Sequence, residues 1–202
     1  MRDRDWLIPV AVIVAVQLLL WRAAYAAGIA YPPMFVAYGL VAYAFFVAVA
    51  GCKLFAITIG MAKYREPEPT RKLLEVMRSN WPRAIAALVG LQLVALGSAA
   101  FSAIKGAMPK AAPFWLDTPL MNVEASAGVH PWQVSHFLFG WATPLIDRLY
   151  ATFVPVHMLA VFAVLATRPS AHKSRALVTL ALSWLVVGIC GAWALSSAGP
   201  IF

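Results

Sequence analysis

Long apolar segments, each of about 20 residues and separated by short polar ones, constrain the fold of this chain more than any other feature of its sequence. One helical crossing of a bilayer's hydrocarbon core takes about 20 consecutive apolar residues. A soluble core of this size does not produce such a regular pattern of long apolar runs. The pattern therefore predicts an all-α, polytopic integral membrane helix bundle that forms a single membrane domain over residues 1–202.

Composition leads to the same class of protein. Of the 202 residues, 62% are hydrophobic and 12% are charged, whereas a soluble domain has roughly 25% charged residues. Too little polar surface is available to cover a water-soluble globule. Five spans are predicted, at about 7–29, 34–53, 84–104, 149–167 and 176–195.

The basic residues lie between the apolar segments and explain the net charge of +8. They concentrate in 63–83 and 168–175, as the positive-inside rule produces, so the charge indicates orientation and no nucleic-acid partner is expected. We expect these two segments and the N-terminus in the cytoplasm, and the C-terminus outside, in a bacterial cytoplasmic membrane. Within 63–83, a short helix over 71–81 is expected to lie flat on the inner leaflet.

Residues 105–148 are predicted to form an outer loop, because the third span runs outward. This loop is rich in aromatic residues, and a helix at the membrane surface is expected to start near Pro131. In the third span itself, Gly90, Gly97, Ser98 and Ser102 offer a small-residue face for close helix packing.

Three local patterns follow one another in the second half of the chain. The first is IKGAMPKAAPFWLD, containing Lys105, with Gly-x-x-Pro-Trp at 128–132 after it; the second is Ile146-Asp147-x-x-Tyr150; the third is the terminal SSAGPIF. In this order they resemble the inositol-phosphorylceramide-synthase-like branch of the type-2 phosphatidic acid phosphatase superfamily. The resemblance covers about half of the chain.

The resemblance implies a membrane-embedded lipid phosphatase or phosphotransferase that acts on a lipid phosphate or a phosphodiester head group at the outer face. In such an enzyme a histidine attacks the phosphate, a second histidine protonates the leaving group, and cations hold the phosphate oxygens. The residues expected to gather at an outer cavity and bind substrate are Lys105, Asp147, Tyr150, Ser197, Gly199 and Pro200. For Lys105 the other interpretation is a lysine that snorkels at a helix end, and for Asp147 it is a structural ion pair.

The hallmark histidines of that family normally follow the Ser-Ala-Gly-Pro turn, where this chain ends, so no catalytic residue is assigned. The protein is therefore expected to be the front portion of a catalytic domain, inactive alone and completed by a second polypeptide or a missing C-terminal portion. The alternative is a non-catalytic membrane scaffold or partner subunit.

Two details depart from the family pattern. Pro169-Ser170-Ala171-His172 resembles the family's Pro-Ser-x-His motif, but it lies on the predicted cytoplasmic side and no second histidine follows it. Ala112 stands where the phosphate-binding motif has arginine, which would remove a bidentate clamp.

His157, inside the fourth span, is expected to point into the bundle. No metal or cofactor is predicted, and membrane lipids are the expected partners.

Overall fold

The computed structural model describes residues 3–111, 114–128 and 130–195. Every regular element within these ranges is helical, which confirms the all-α class. The longer helices are α1 Arg4–Ala26, α2 Phe35–Lys63, α3 Pro69–Ala111, α4 Asp117–Ala127, α5 Pro131–Phe139, α6 Thr143–Ala151, α7 Phe153–Ala166 and α8 Ala171–Ser183. A 3₁₀ turn, Gly140–Ala142, joins α5 to α6. Helix α8 continues into a π-helix, Trp184–Gly191, and the short helix α9, Ala192–Ala194, follows it.

Five helical segments within the described part of the chain are long and apolar enough to cross a membrane. Their bounds are Arg4–Ala26, Phe35–Lys63, Pro69–Lys110, Gln133–Ala166 and Ala171–Ala194. Each of the five predicted spans falls largely within one of them. The protein is therefore an integral membrane protein built from a five-span helix bundle.

The third span differs from its prediction. The basic stretch 71–81 is not a separate helix lying flat, because α3 begins at Pro69 and continues without interruption to Ala111. Proline is well suited to the first helical position, and Pro82 removes only one backbone donor from a membrane helix that tolerates the loss. Ion pairs of Arg71 with Glu68 and Glu75, at 3.0 and 3.4 Å, support the first turns.

The far end of α3 also extends beyond the prediction. Lys105 was expected to open the outer loop, but it and Lys110 belong to α3, because the alanines, methionine and lysines of this stretch favour helix. A helix of 43 residues is about 64 Å long, roughly twice the thickness of a hydrocarbon core. Both ends of α3 therefore carry polar residues past the apolar layer. The helix predicted to start near Pro131 is present as α5, and its residues from Gln133 onward belong to the fourth apolar segment, Gln133–Ala166.

Small residues line the face of α3 that packs at the centre of the bundle. Every fourth residue is buried, in the series Ala87, Leu91, Ala95, Ala99, Ala103 and Ala107. Gly90 and Gly97 extend this face: a Cβ atom on Gly90 would lie 2.7 Å from Trp6 and from Leu165, and one on Gly97 would lie 2.6 Å from Gln17. The predicted close packing is confirmed at Gly90 and Gly97, which let α1 and α7 approach α3 closely.

Polar contacts fasten α2 to the same central helix. Gln92 Nε2 donates to the carbonyl oxygen of Gly39 at 3.2 Å, and the hydroxyl groups of Tyr38 and Ser102 lie 2.9 Å apart. Interhelical hydrogen bonds of this kind help to position helices in a bilayer, where apolar burial between helices gives little driving force.

Candidate functional site

Lys105, the lysine predicted to bind phosphate, lies near the end of α3 with an exposed side chain. Its Nζ atom is 5.7 Å from the centroid of the Phe101 ring, one helical turn earlier. A cation at this distance from an aromatic face is attracted by the ring quadrupole. The ammonium group is thus held over a ring while it stays accessible from the surface of the protein.

The ring beneath Lys105 is itself fixed by the π-helix. A Cβ atom on Gly188 would lie 2.8 Å from Phe101 Cε2, so the glycine allows the ring to pack directly on the helix backbone. Trp184 meets Phe101 edge to face at 4.6 Å, and His157 lies 5.9 Å beyond Trp184. We call Phe101, Trp184, His157 and Lys105 the Lys105 cluster. π-Helical turns often occur at functional sites.

A second lysine lies at the same end of the bundle. Lys110 Nζ is 4.1 Å from the centroid of the Tyr31 ring, and Trp21 Nε1 donates to the carbonyl oxygen of Tyr31 at 3.1 Å. Tyr31 belongs to the connection between α1 and α2, so this connection and the end of α3 meet. We call this the Lys110 end of the bundle.

The other predicted ligands are placed differently. Asp147 and Tyr150 lie three residues apart on α6, and both side chains are exposed, Tyr150 to 82%. The structure therefore does not bury them in a closed cavity with Lys105. Ser197, Gly199 and Pro200 lie outside the described residues.

Sequence reasoning missed a buried charged group at the opposite end of the bundle. Lys173, on α8, is 4% exposed. Its ammonium group donates to Asp3 Oδ1 at 3.0 Å, to the carbonyl oxygen of Leu165 at 2.8 Å and to that of Thr167 at 3.2 Å. These three bonds use all three ammonium hydrogens. We call this group, with Trp6, the Lys173 cluster.

Asp3 is the anionic partner in this cluster. Burial raises the pKa of its carboxyl group, but hydrogen bonds from Trp6 and Lys173 and the positive charges of Lys173 and Arg83 outweigh burial and hold the pKa below its ordinary value of 3.8. Trp6 Nε1 donates to Asp3 Oδ1 at 2.8 Å, and the Trp6 ring lies 5.1 Å below the lysine. The contacts within the Lys173 cluster hold the start of α1 against α8.

The segment that resembles a Pro-Ser-x-His motif begins α8. Ser170 is the N-cap of that helix, and its side-chain oxygen accepts a hydrogen bond from the backbone N–H of Lys173 at 3.1 Å. His172, in the first turn, is exposed. Serine in this position satisfies one of the free N–H groups at a helix start, which accounts for the motif without a catalytic role.

The described residues hold no group of three or more His, Cys, Asp or Glu side chains placed to bind a metal ion. The exposed charged groups of the predicted site and its surroundings include two lysines of the α3 end, Lys105 and Lys110, together with Asp147 on α6. No protein-family model, curated protein or solved structure matches this chain.

Proposed function

We propose that this protein binds a lipid phosphate, or the phosphodiester head group of a lipid, at the Lys110 end of the bundle. The observation that carries the proposal is the placement of two accessible ammonium groups at this end, Lys105 over Phe101 and Lys110 over Tyr31, at 5.7 and 4.1 Å from the ring centroids. Rings beneath the lysines restrict their motion, so less side-chain entropy is lost when an anion binds. Charge-assisted hydrogen bonds then stabilise the phosphate.

Chemistry on the bound phosphate is a second part of the proposal. Phosphoryl transfer depends mainly on positioning and on charge stabilisation, which lysines supply, but it also needs a nucleophile and a proton donor. We propose that a second polypeptide, or a further segment of the protein, provides these groups. The purified chain of 202 residues should then show no phosphatase or head-group transfer activity above a blank.

The orientation belongs to the same proposal. The basic residues of 63–83 and 168–175 lie toward the end of the bundle that holds the Lys173 cluster, and we propose that this end faces the cytoplasm of a bacterial cell. The Lys110 end then meets the outer leaflet.

Cysteine labelling tests this orientation in a protein whose Cys52 and Cys190 are replaced by alanine. A single cysteine placed at Asn122, which is exposed, should be labelled from outside the cell. A single cysteine placed at Ser79, also exposed, should be labelled only after the membrane is permeabilised. Labelling in the reverse order would contradict this orientation.

Binding is tested in nanodiscs that contain either phosphatidic acid or phosphatidylcholine as the minor lipid. We expect preferential retention of phosphatidic acid, and a loss of that preference of about tenfold or more in a Lys105→Gln, Lys110→Gln double variant, because each change removes a hydrogen bond to a charged group. Lys53→Gln is the matched control, since Lys53 is an exposed lysine of α2. Equal retention by the double variant and the unmodified protein would refute the phosphate site.

The second candidate is a non-catalytic scaffold or partner subunit, and α2 favours it. Along the 29 residues of this helix, only Ala42 is buried within the protein, so α2 presents most of its surface outward. Photo-crosslinking from Val36 and Leu40, both exposed, distinguishes the candidates. Adducts to lipid alone favour the lipid-binding function, and a single discrete protein adduct favours the scaffold.

A further inference from the structure

A small cavity lies inside the bundle where α1, α3 and α8 meet. Its volume is about 20 Å³, more than the roughly 10–15 Å³ that one water molecule requires. Most of its wall is apolar, formed by residues such as Val14, Leu165 and Leu177. The polar side chains in the wall are those of Gln17 and Ser98, with the indoles of Trp184 and of Trp6, whose N–H donates to Asp3.

Gln17 is the unusual residue of this wall. It is 1% exposed, it lies midway along α1, and within the described part of the chain its Nε2 atom has no hydrogen-bond partner. Its Oε1 atom packs on Gly97, where a Cβ atom would lie 2.6 Å away.

An amide donor without an acceptor is costly in this environment. Moving an amide into an apolar medium without a hydrogen bond costs more free energy than immobilising one water molecule. A cavity with room for a water beside such a donor is therefore expected to be hydrated. Among the described residues that form the wall, none is charged, and the volume is too small for a larger polar molecule.

We propose that this cavity holds one water molecule, which accepts a hydrogen bond from Gln17 Nε2 and donates one to Ser98 Oγ. The water joins α1 to α3 at the middle of the membrane, beside the glycine that allows these helices to approach. The site is independent of the lipid-phosphate site at the Lys110 end.

Pulsed X-ray footprinting tests the proposal on the whole protein in detergent, because hydroxyl radicals formed from a bound water oxidise the side chains that surround it. Val14 and Val161 make a matched pair: they are 3% and 4% exposed, but only Val14 lines the cavity, and it packs beside Gln17 at Gly97. We expect Val14 to be oxidised several-fold more than Val161. Equal oxidation of the two valines in the unmodified protein would overturn the proposal.

A Gln17→Leu variant gives the second measurement. Loss of the amide should reduce oxidation of Val14 to the level of Val161, whereas Gln92→Leu, which removes an amide bonded outside the cavity, should leave the difference intact. A difference that persists in Gln17→Leu would show that Gln17 does not hold the water. The comparison within the unmodified protein decides the proposal even where a variant fails to fold.

Discussion

The ammonium nitrogen of Lys173 lies 3.0 Å from a carboxylate oxygen of Asp3, which joins residues 170 positions apart in the chain. The lysine side chain is 2% exposed and the aspartate 22%. Removing one partner of a buried ion pair leaves an uncompensated charge, and the penalty is larger for the partner left more deeply buried. The pair therefore predicts unequal effects of its two single substitutions.

Asp3→Ala should destabilise the protein by about 3–5 kcal/mol, because it leaves the ammonium group of Lys173 buried without its counter-charge. Lys173→Met should cost less, since the partly exposed carboxylate of Asp3 keeps the hydrogen bond from Trp6. The measurement is the free energy of unfolding in mixed micelles. Glu75→Ala, which breaks the exposed pair with Arg71, is the control and should cost under about 1 kcal/mol. Equal losses for the two cluster variants would contradict the asymmetry.

Stability should also depend on pH through Asp3. Because the pKa of this carboxyl group is lower in the folded protein than its ordinary value of 3.8, the unfolded chain binds a proton more readily than the folded one. The stabilisation is fully present above about pH 4 and is lost as the pH falls through the lowered pKa. Unfolding measured between about pH 6 and pH 2 should show this loss, and Asp3→Asn should flatten the curve in the acid range.

The spans were predictable because the length of an apolar run is a local property of the sequence. The continuity of α3 was not, since Pro67 and Pro69 suggest a broken, basic loop. In the structure α3 begins at Pro69 and continues through Pro82. Local patterns also indicated the small-residue face, with Gly90 and Gly97 facing α1.

The Lys173 cluster could not be found in the same way. Lys173 lies in a basic segment with Arg168 and was therefore interpreted as a cation that orients the protein in the membrane. Its partner Asp3 was not recognised, because it is remote in sequence and comes close only when α1 packs beside α8. One local signal was available: Ser170 stands three residues before Lys173, as an N-cap does. Lys105 was named as a candidate from the sequence, but its contact with Phe101 was missed because residue 105 was predicted to open a loop and not to continue α3. The position of the π-helix against the Phe101 ring depends on helix packing.

Gly90→Ala should destabilise the protein, whereas Gly51→Ala should not. The added methyl group at Gly90 would lie 2.7 Å from Trp6 Cη2 and Leu165 Cδ2, and the Trp6 ring is held by Asp3, so overpacking should cost about 1–3 kcal/mol. At Gly51 no atom lies within 4 Å, so alanine should be neutral or stabilise α2 by up to about 1 kcal/mol. Thermal unfolding of both variants checks this, and a stable Gly90→Ala protein would mean that the α1–α3 contact is looser than described.

Ser170 and His172 separate a structural from a catalytic role for the segment at the start of α8. Ser170→Ala should cost about 1 kcal/mol of stability, because the backbone N–H of Lys173 loses its capping oxygen. His172→Ala should leave stability nearly unchanged, since this side chain is exposed.

The activity of His172→Ala, compared with that of Lys105→Ala, completes the test. The assay uses a co-expressed polypeptide that supplies a nucleophile. His172→Ala should then turn over a lipid phosphate at the rate of the unmodified protein. Lys105→Ala should lower the rate by about 10²-fold if the lysine stabilises charge in the transition state. Turnover by the chain alone that disappears in His172→Ala, with stability intact, would make this histidine the nucleophile. The active site would then lie beside the Lys173 cluster, at the opposite end of the bundle from Lys105.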